Sequence, residues 1–258
     1  MNMKKVIAIV CALVLLLSVS ALAEDKPLAG KKLTIGLSPN FMYFETVSET
    51  DPTDYEGLDI DIIKSLSDKL GFEFEISPMS FSSLIGSLQA GAVDMVISGM
   101  TATEERAQVV DFSIVYCTTD IGCVVKADAD IASYKDLEGK VVACSAGTEY
   151  EQHIGKIPGA VLKTFDGQAA VGNAVAEEMD GVVAGLTSIN GSKKLANTVM
   201  DAEGKPMLKY FQLDMDGIAD NYSMAFPKDS ELKDIFNEQL QLMIDSGELD
   251  ALIHQWLY

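Results

Sequence analysis

Ser98-Gly-Met-Thr101, followed by Thr103-Glu-Glu-Arg106, brings a glycine, hydroxyls and a guanidinium into one short stretch of chain. Such a set suits a carboxylate. Gly99 lets the backbone approach closely, Thr101 offers a hydroxyl, and Arg106 can grip both carboxylate oxygens through two parallel hydrogen bonds. The stretch reads as a strand end entering a helix, which adds free N–H groups and the positive end of the helix dipole. A capping box of Thr101 with Glu104 is the competing reading, and for Glu104 the two coexist. For Arg106 taken alone the competing reading is a surface ion pair. Ser145-Ala-Gly147-Thr148 repeats the pattern of a strand end turning into a helix, with Gly147 as a turn residue and Thr148 as an N-cap.

Catalytic chemistry finds fewer parts. The chain has no G-x-S-x-G elbow, no H-E-x-x-H and no P-loop. Of the two histidines, His254 falls on the surface of the last helix, and His153 lies about one turn beyond the Thr148 helix start. Glu149 is the one acid that can be placed near a substrate. No catalytic residue, metal or cofactor is assigned.

The elements that position these turns alternate between short β-type runs and helical patterns, which predicts an α/β architecture on mainly parallel sheets. Strands are expected at 32–37, 72–76, 93–98, 140–144, 161–165, 181–184 and 222–226. Helical spacing covers 59–70, where Ile62, Ile63, Leu66 and Leu70 share a face and Gly71 supplies a left-handed stop. Further helices are expected at 82–90, from Thr148, from about Gly167, from about Ser188, and over 231–245 and 247–256, with Ser230 as the cap of the 231–245 helix.

Composition narrows the classes of partner. The chain has 258 residues, and 19 Lys+Arg against 39 Asp+Glu give a formal charge of −20. With no local basic stripe, nucleic-acid binding is excluded. The only arginine is Arg106. Residues 1–23 read as a secretory signal, with Lys4 and Lys5 before the apolar run Val6 to Val19 and an Ala21-Leu22-Ala23 cleavage site. Cys11 lies early in that run behind Val10, where a lipoprotein signal would place a small residue, so an exported protein without a lipid anchor is expected. Cys117, Cys123 and Cys144 match no zinc spacing, allow at most one disulfide, and suit small apolar core positions.

Two stretches carry a resemblance. Gly57-Leu-Asp-Ile-Asp-Ile-Ile-Lys-Ser-Leu66 is the first, and Phe81 to Arg106 continuing through Val110-Asp-Phe-Ser113 is the second. Together with the ending Ser246-Gly-Glu-Leu-Asp-Ala-Leu-Ile-His-Gln-Trp256, they resemble the extracellular solute-binding proteins of polar amino-acid ABC importers. The resemblance implies the two-lobed periplasmic-binding-protein fold of type II, with two Rossmann-like lobes joined by two hinge strands. Lobe 1 would be 24–115 plus 223–258, lobe 2 would be 121–217, and the hinges 116–120 and 218–222. It further implies a monomer that closes over a small carboxylate-bearing ligand, an amino acid or analogue, and is recognised by the permease subunits.

Carried over by that resemblance, the ligand site takes Arg106, Thr101 and Gly99 from lobe 1 and Gly147 and Thr148 from lobe 2. Phe41, Phe44 and Phe81 would pack around the ligand side chain. Two positions depart from the family pattern. The aspartate that usually holds the α-ammonium, after a strand of the type Asp-Ala-Val-Val-Ala-Asp, is Gly185 here, and an acidic position in the first loop is Ser38. A desolvated ammonium without a counter-charge is costly, so another acid must substitute or the ligand's amino group is recognised unusually. Glu149 and Asp220 are the candidates. The alternative function is a dehydratase acting on a cyclic carboxylate, since such enzymes share the fold. The sensing lobe of a receptor is a third reading, disfavoured on the expectation that the chain ends at Tyr258.

Overall fold

The computed structural model describes residues 26–215 and 218–258. The signal reading for 1–23 and the reading of Cys11 lie outside the described residues. Two five-stranded sheets form the frame. In the first, strand Lys32–Leu37 runs parallel to Glu73–Pro78 on one side and to Met95–Val96 on the other, and Ala225–Pro227 and Val110–Phe112 complete the sheet antiparallel. In the second, Val141–Ser145 runs parallel to Val161–Phe165 and to Val182–Ser188, while Ile121–Lys126 and Leu208–Gln212 add on antiparallel. Both sheets are therefore mixed, not mainly parallel as the alternation suggested. In each sheet one strand, Ala225–Pro227 or Ile121–Lys126, runs against the other four, and each follows directly on a strand that crosses between the sheets, with no crossover helix before it.

Strand alternation sends side chains to two helical layers. In the first lobe Leu33, Ile35, Met95 and Ile97 join a core with helices Leu58–Leu70, Glu231–Asp245 and Glu248–Leu257. Val96, Val110 and Ala225 face the other way, onto helix Leu84–Gln89. The second lobe repeats this. Cys123, Val125, Val142 and Cys144 pack with helix Tyr150–Gly155, while Val124 and Ala143 pack beneath Gln168–Ala176 and Ile189–Thr198. Among the described residues Cys117, Cys123 and Cys144 are buried and unpaired, and burial pushes the Cys117 and Cys144 thiols up to about 12.

Between the sheets, Cys117–Thr119 and Asp220–Tyr222 pair antiparallel as two strands crossing from lobe to lobe. Several sequence-based elements change length. The 93–98 run is strand only at Met95–Val96, 82–90 is a 3₁₀ turn leading into Leu84–Gln89, and 222–226 divides into two strands. Among the described residues no helix is long and apolar enough to cross a membrane.

Candidate functional site

A cavity of about 560 Å³, its mouth included, lies between the two sheets. Its walls come from residues at or just past the carboxyl ends of parallel strands: Ser38, Phe81, Ser98 and Gly99 in the first lobe, and Ser145, Ala146, Asp166, Gly167 and Thr187 in the second. Open α/β sheets place ligands there because the loops diverge and leave a crevice. Phe41, Glu45, Thr101, Arg106, Thr148, Glu149, Tyr150, Gln168, Asp220 and Tyr222 complete the lining.

The Arg106 turn differs locally from its sequence reading. The helix is a single turn, Glu104–Ala107, and its cap is Thr103, whose hydroxyl accepts the Arg106 N–H at 3.2 Å. Thr101 is thus not the cap, and one turn is too short for a substantial dipole. What remains is the side chain itself. Arg106 Nη1 donates to the Thr101 carbonyl at 2.7 Å and Nη2 to the Gly147 carbonyl at 2.8 Å, and the guanidinium lies 5.4 Å from the Phe81 ring centroid. Two of its five N–H groups are thereby used, which leaves three for a ligand. Burial draws its pKa down, and the carboxylates of Glu149, Glu105 and Glu151 oppose that.

Gly147 does not line the cavity. It stands at the rim with φ +78, where an added Cβ would sit 2.9 Å from the Ser82 backbone of the other lobe. Its N–H donates to Glu151 Oε1 at 2.6 Å, and Thr148 is not an N-cap either, since its hydroxyl donates back to the Ser145 carbonyl at 2.6 Å. Phe44 is likewise displaced from its expected place. It is fully buried, stacked behind Phe41 at 4.5 Å between centroids, and edge-on to Tyr222, so it supports Phe41 without reaching the cavity. Ser38, Phe41, Phe81, Gly99, Thr101, Arg106 and Thr148 all line the cavity.

Gly185 occupies a different place from the one the family pattern suggested. A Cβ there would meet Val171 Cγ1 at 2.5 Å, under helix Gln168–Ala176, so the position faces core. The register slips between Val141 and Val142 opposite this strand, and Thr187, two residues on, is the strand residue that reaches the cavity. It brings no charge. Both acids weighed as substitutes do line the cavity. Asp220 Oδ2 accepts the hydroxyls of Tyr150 at 2.6 Å and Tyr222 at 2.8 Å, and burial raises its pKa to about 7 against the lowering effect of those two donors. Glu149 lies partly exposed, 3.7 Å from His153 Nε2. His153 is buried behind the wall with both ring nitrogens unpartnered, and burial lowers its pKa.

Sequence reasoning missed Glu45, Asp166 and Gln168. Glu45 is fully buried with Asp59. Ser98 Oγ donates to Glu45 Oε1 at 2.6 Å and itself accepts the Ser38 N–H, while Asp59 Oδ2 accepts the Gly99 N–H at 2.8 Å. Glu45 Oε2 and Asp59 Oδ1 find no donor among the described residues, and a proton held between these neighbouring carboxyls would satisfy both. Burial and the Asp59 charge hold Glu45 far above the usual carboxylate range, and burial lifts Asp59 to about 6.

Two α/β lobes, two crossing strands and a cavity at the strand ends form the architecture expected of a solute-binding protein. The family model for bacterial extracellular solute-binding proteins, family 3, matches residues 33–258, and the chain belongs to that family. The arginine-binding extracellular protein ArtP of Bacillus subtilis is 36% identical over 228 residues, 88% of this chain and 86% of that protein. Among solved structures, the substrate-binding protein of an amino acid ABC transporter superposes with a TM-score of 0.78 at 32% identity, covering 87% of this chain and 98% of the other. The substrate-binding protein AbpA of Streptococcus pneumoniae, bound to L-arginine, gives 0.77 at 31% identity over 88% and 94%. The chain is thus a substrate-binding protein of an ABC importer, capturing a small carboxylate-bearing solute in the interlobe cleft.

Proposed function

We propose that this solute is an α-amino acid with a cationic side chain, L-arginine being the representative, and that the protein delivers it as an exported monomer to the permease subunits. The observation that carries this reading is the charge of the cavity wall. Among the described residues that line it, Arg106 is the one cation, Glu149, Asp166 and Asp220 are the acids able to carry charge, and Glu45 is kept neutral by its burial beside Asp59. One guanidinium suits one carboxylate, and the surplus of acids favours a ligand with more positive than negative groups.

The two ends of the α-amino acid have neighbouring partners. Thr101, whose carbonyl accepts from Arg106, pairs backbone to backbone with Tyr222, whose hydroxyl donates to Asp220. The ligand carboxylate therefore goes to Arg106 and the α-ammonium to Asp220, which fills the role that no acid on the Val182–Ser188 strand can fill. Phe41 and Phe81 offer aromatic faces to the cationic side chain, and Glu149 and Asp166 offer charge. The similarity to an arginine-binding relative supports the same reading.

Calorimetry with L-arginine, L-lysine, L-glutamine and L-glutamate tests it. The expected order places the two basic amino acids first and L-glutamate last; tighter binding of L-glutamate than of L-arginine would overturn the reading. Arg106→Ala should weaken L-arginine binding by about 100-fold or more, and Arg106→Lys by less, because lysine keeps the charge and loses the planar fork.

A further inference from the structure

Away from the Arg106–Gly147 bridge, the lobes meet along a second line. Met42, from the loop after the first strand, sends its backbone N–H to Gln168 Oε1 at 3.0 Å, although the two residues are 126 apart in sequence. Its side chain packs against the apolar cluster of the second lobe that includes Val171 and Val175. Beside it, Asn40 lies over Gly167, where an added Cβ would come within 2.6 Å of the Asn40 side-chain carbon. Tyr43 holds a left-handed φ of +71, which is unfavourable for a bulky residue, and its ring sits 5.7 Å from Lys194 Nζ of the second lobe.

Gln168 is built to receive this loop. Its amide nitrogen donates to Thr187 Oγ1 and lies 3.5 Å from Ser188 Oγ, which leaves the oxygen to face Met42. Because a backbone N–H can only donate, that orientation is settled by chemistry. The side chain has room only because residue 191 is glycine, where a Cβ would fall 2.5 Å from the amide nitrogen. The buried acceptor is thus held by residues of the second lobe alone.

We propose that Met42 and Gln168 form an interlobe latch, which holds the cleft shut and sets how long a ligand stays bound, through a contact whose Met42 half lies outside the cavity. Gln168 is a positioning residue for the Met42 loop, Met42 supplies the apolar plug, and Gly167 supplies the clearance that closing needs. Met42 itself does not line the cavity. A latch of this kind is made after ligand entry, so it acts on dissociation more than on association.

The test compares wild type with Met42→Ala, Gln168→Ala and Gly167→Ala, using L-arginine in stopped flow and amide hydrogen exchange at Met42. Each variant should release L-arginine about tenfold faster, which corresponds to about 1.4 kcal/mol, with association changed less than about twofold. Met42→Ala should leave the melting temperature of the protein without amino acid unchanged, and the Met42 amide should exchange faster in Gln168→Ala than in wild type. If Met42→Ala and Gly167→Ala release L-arginine as wild type does, the latch is wrong, even where Gln168→Ala binds weakly. Failure of wild type to bind L-arginine counts against the ligand reading above and leaves the exchange rate at Met42 to decide the latch, equal rates in wild type and Gln168→Ala overturning it.

Discussion

Two acid sites flank the cavity, equally hidden and differently surrounded. Glu45 and Asp59 are both fully buried, and Asp220 is 2% exposed. Burial raises the pKa in all three, yet the neighbours divide the work. Glu45 faces another carboxyl, and one proton between them makes the pair self-contained, with Ser98 and the Gly99 N–H occupying the outer oxygens. Asp220 faces two phenols and no acid within hydrogen-bonding reach, so nothing in the wall supplies the positive charge that would return it to the ionised state. Under the proposed ligand reading, equal burial therefore produces a structural strut on one side and a receptor for a cation on the other. The strut ties the loop after the first strand to the Gly99 turn; the receptor joins the crossing strands to helix Tyr150–Gly155.

The largest separation of the two sites should come from Asp220→Asn. Asparagine can still accept both tyrosine hydroxyls through its carbonyl, so the local packing is kept while the negative charge is lost. L-arginine affinity should fall about 100-fold, since removing one partner of a buried charged pair strands the other. The melting temperature of the protein without ligand at pH 8 should stay equal or rise, because a buried carboxylate is no longer held ionised. Calorimetry and a thermal melt read the two quantities, and an affinity loss matched by a large loss of stability would remove the distinction between receptor and strut.

Burial of this kind is hard to see in a sequence, while periodic helices are easy. The apolar faces of Leu58–Leu70 and Glu231–Asp245 placed those helices to within a residue, since 3.6-residue spacing persists over several turns. Strand Ile121–Lys126 went unread because its first five residues are buried in succession and show no alternation. At the site, Arg106 was legible from its type and its turn. Glu45 was not, because its partners Asp59 and Ser98 come from other elements and only the fold unites them. Gly185 misled for a related reason: it and Thr187 share a face of the strand, but helix Gln168–Ala176 covers Gly185 while Thr187 reaches the cavity, and composition does not mark where along a strand that cover ends.

The pH dependence sharpens the same contrast with a smaller effect. Asp220 at about 7 and Asp59 at about 6 both lie above the roughly 3.9 of an unfolded aspartate. The folded chain thus binds more protons than the unfolded one between those limits, and the stabilisation from these groups, fully present below about pH 4, is lost as pH rises through 6 and 7. Ligand binding should run the other way. An ammonium pairs with ionised Asp220, so L-arginine binding near pH 6.5 should release a proton, and affinity should climb by up to about tenfold per pH unit below 7 before levelling above it. Calorimetry in buffers of different ionisation enthalpy counts the released proton. In Asp220→Asn the count should drop, and an unchanged count would transfer the proton to Glu45 and Asp59.

The smallest effect is expected where the strut alone is altered. In Glu45→Gln the amide can donate to Asp59 as the shared proton does, and its carbonyl can still accept from Ser98 Oγ. Asp59 then lies beside a permanent donor, which lowers its pKa and leaves the net charge of the ligand-bearing wall unchanged, because Glu45 already carries a proton. L-arginine affinity should change by less than about threefold, within the energy of half a hydrogen bond. Asp59→Asn alone would leave Glu45 as the nearest acid to the Gly99 turn and should act mainly on the melting temperature at high pH, which rises when the buried charge is removed. If Glu45→Gln weakens L-arginine as severely as Asp220→Asn, then the carboxyl of Glu45 is a second receptor, and the two sites differ in their neighbours without differing in their task.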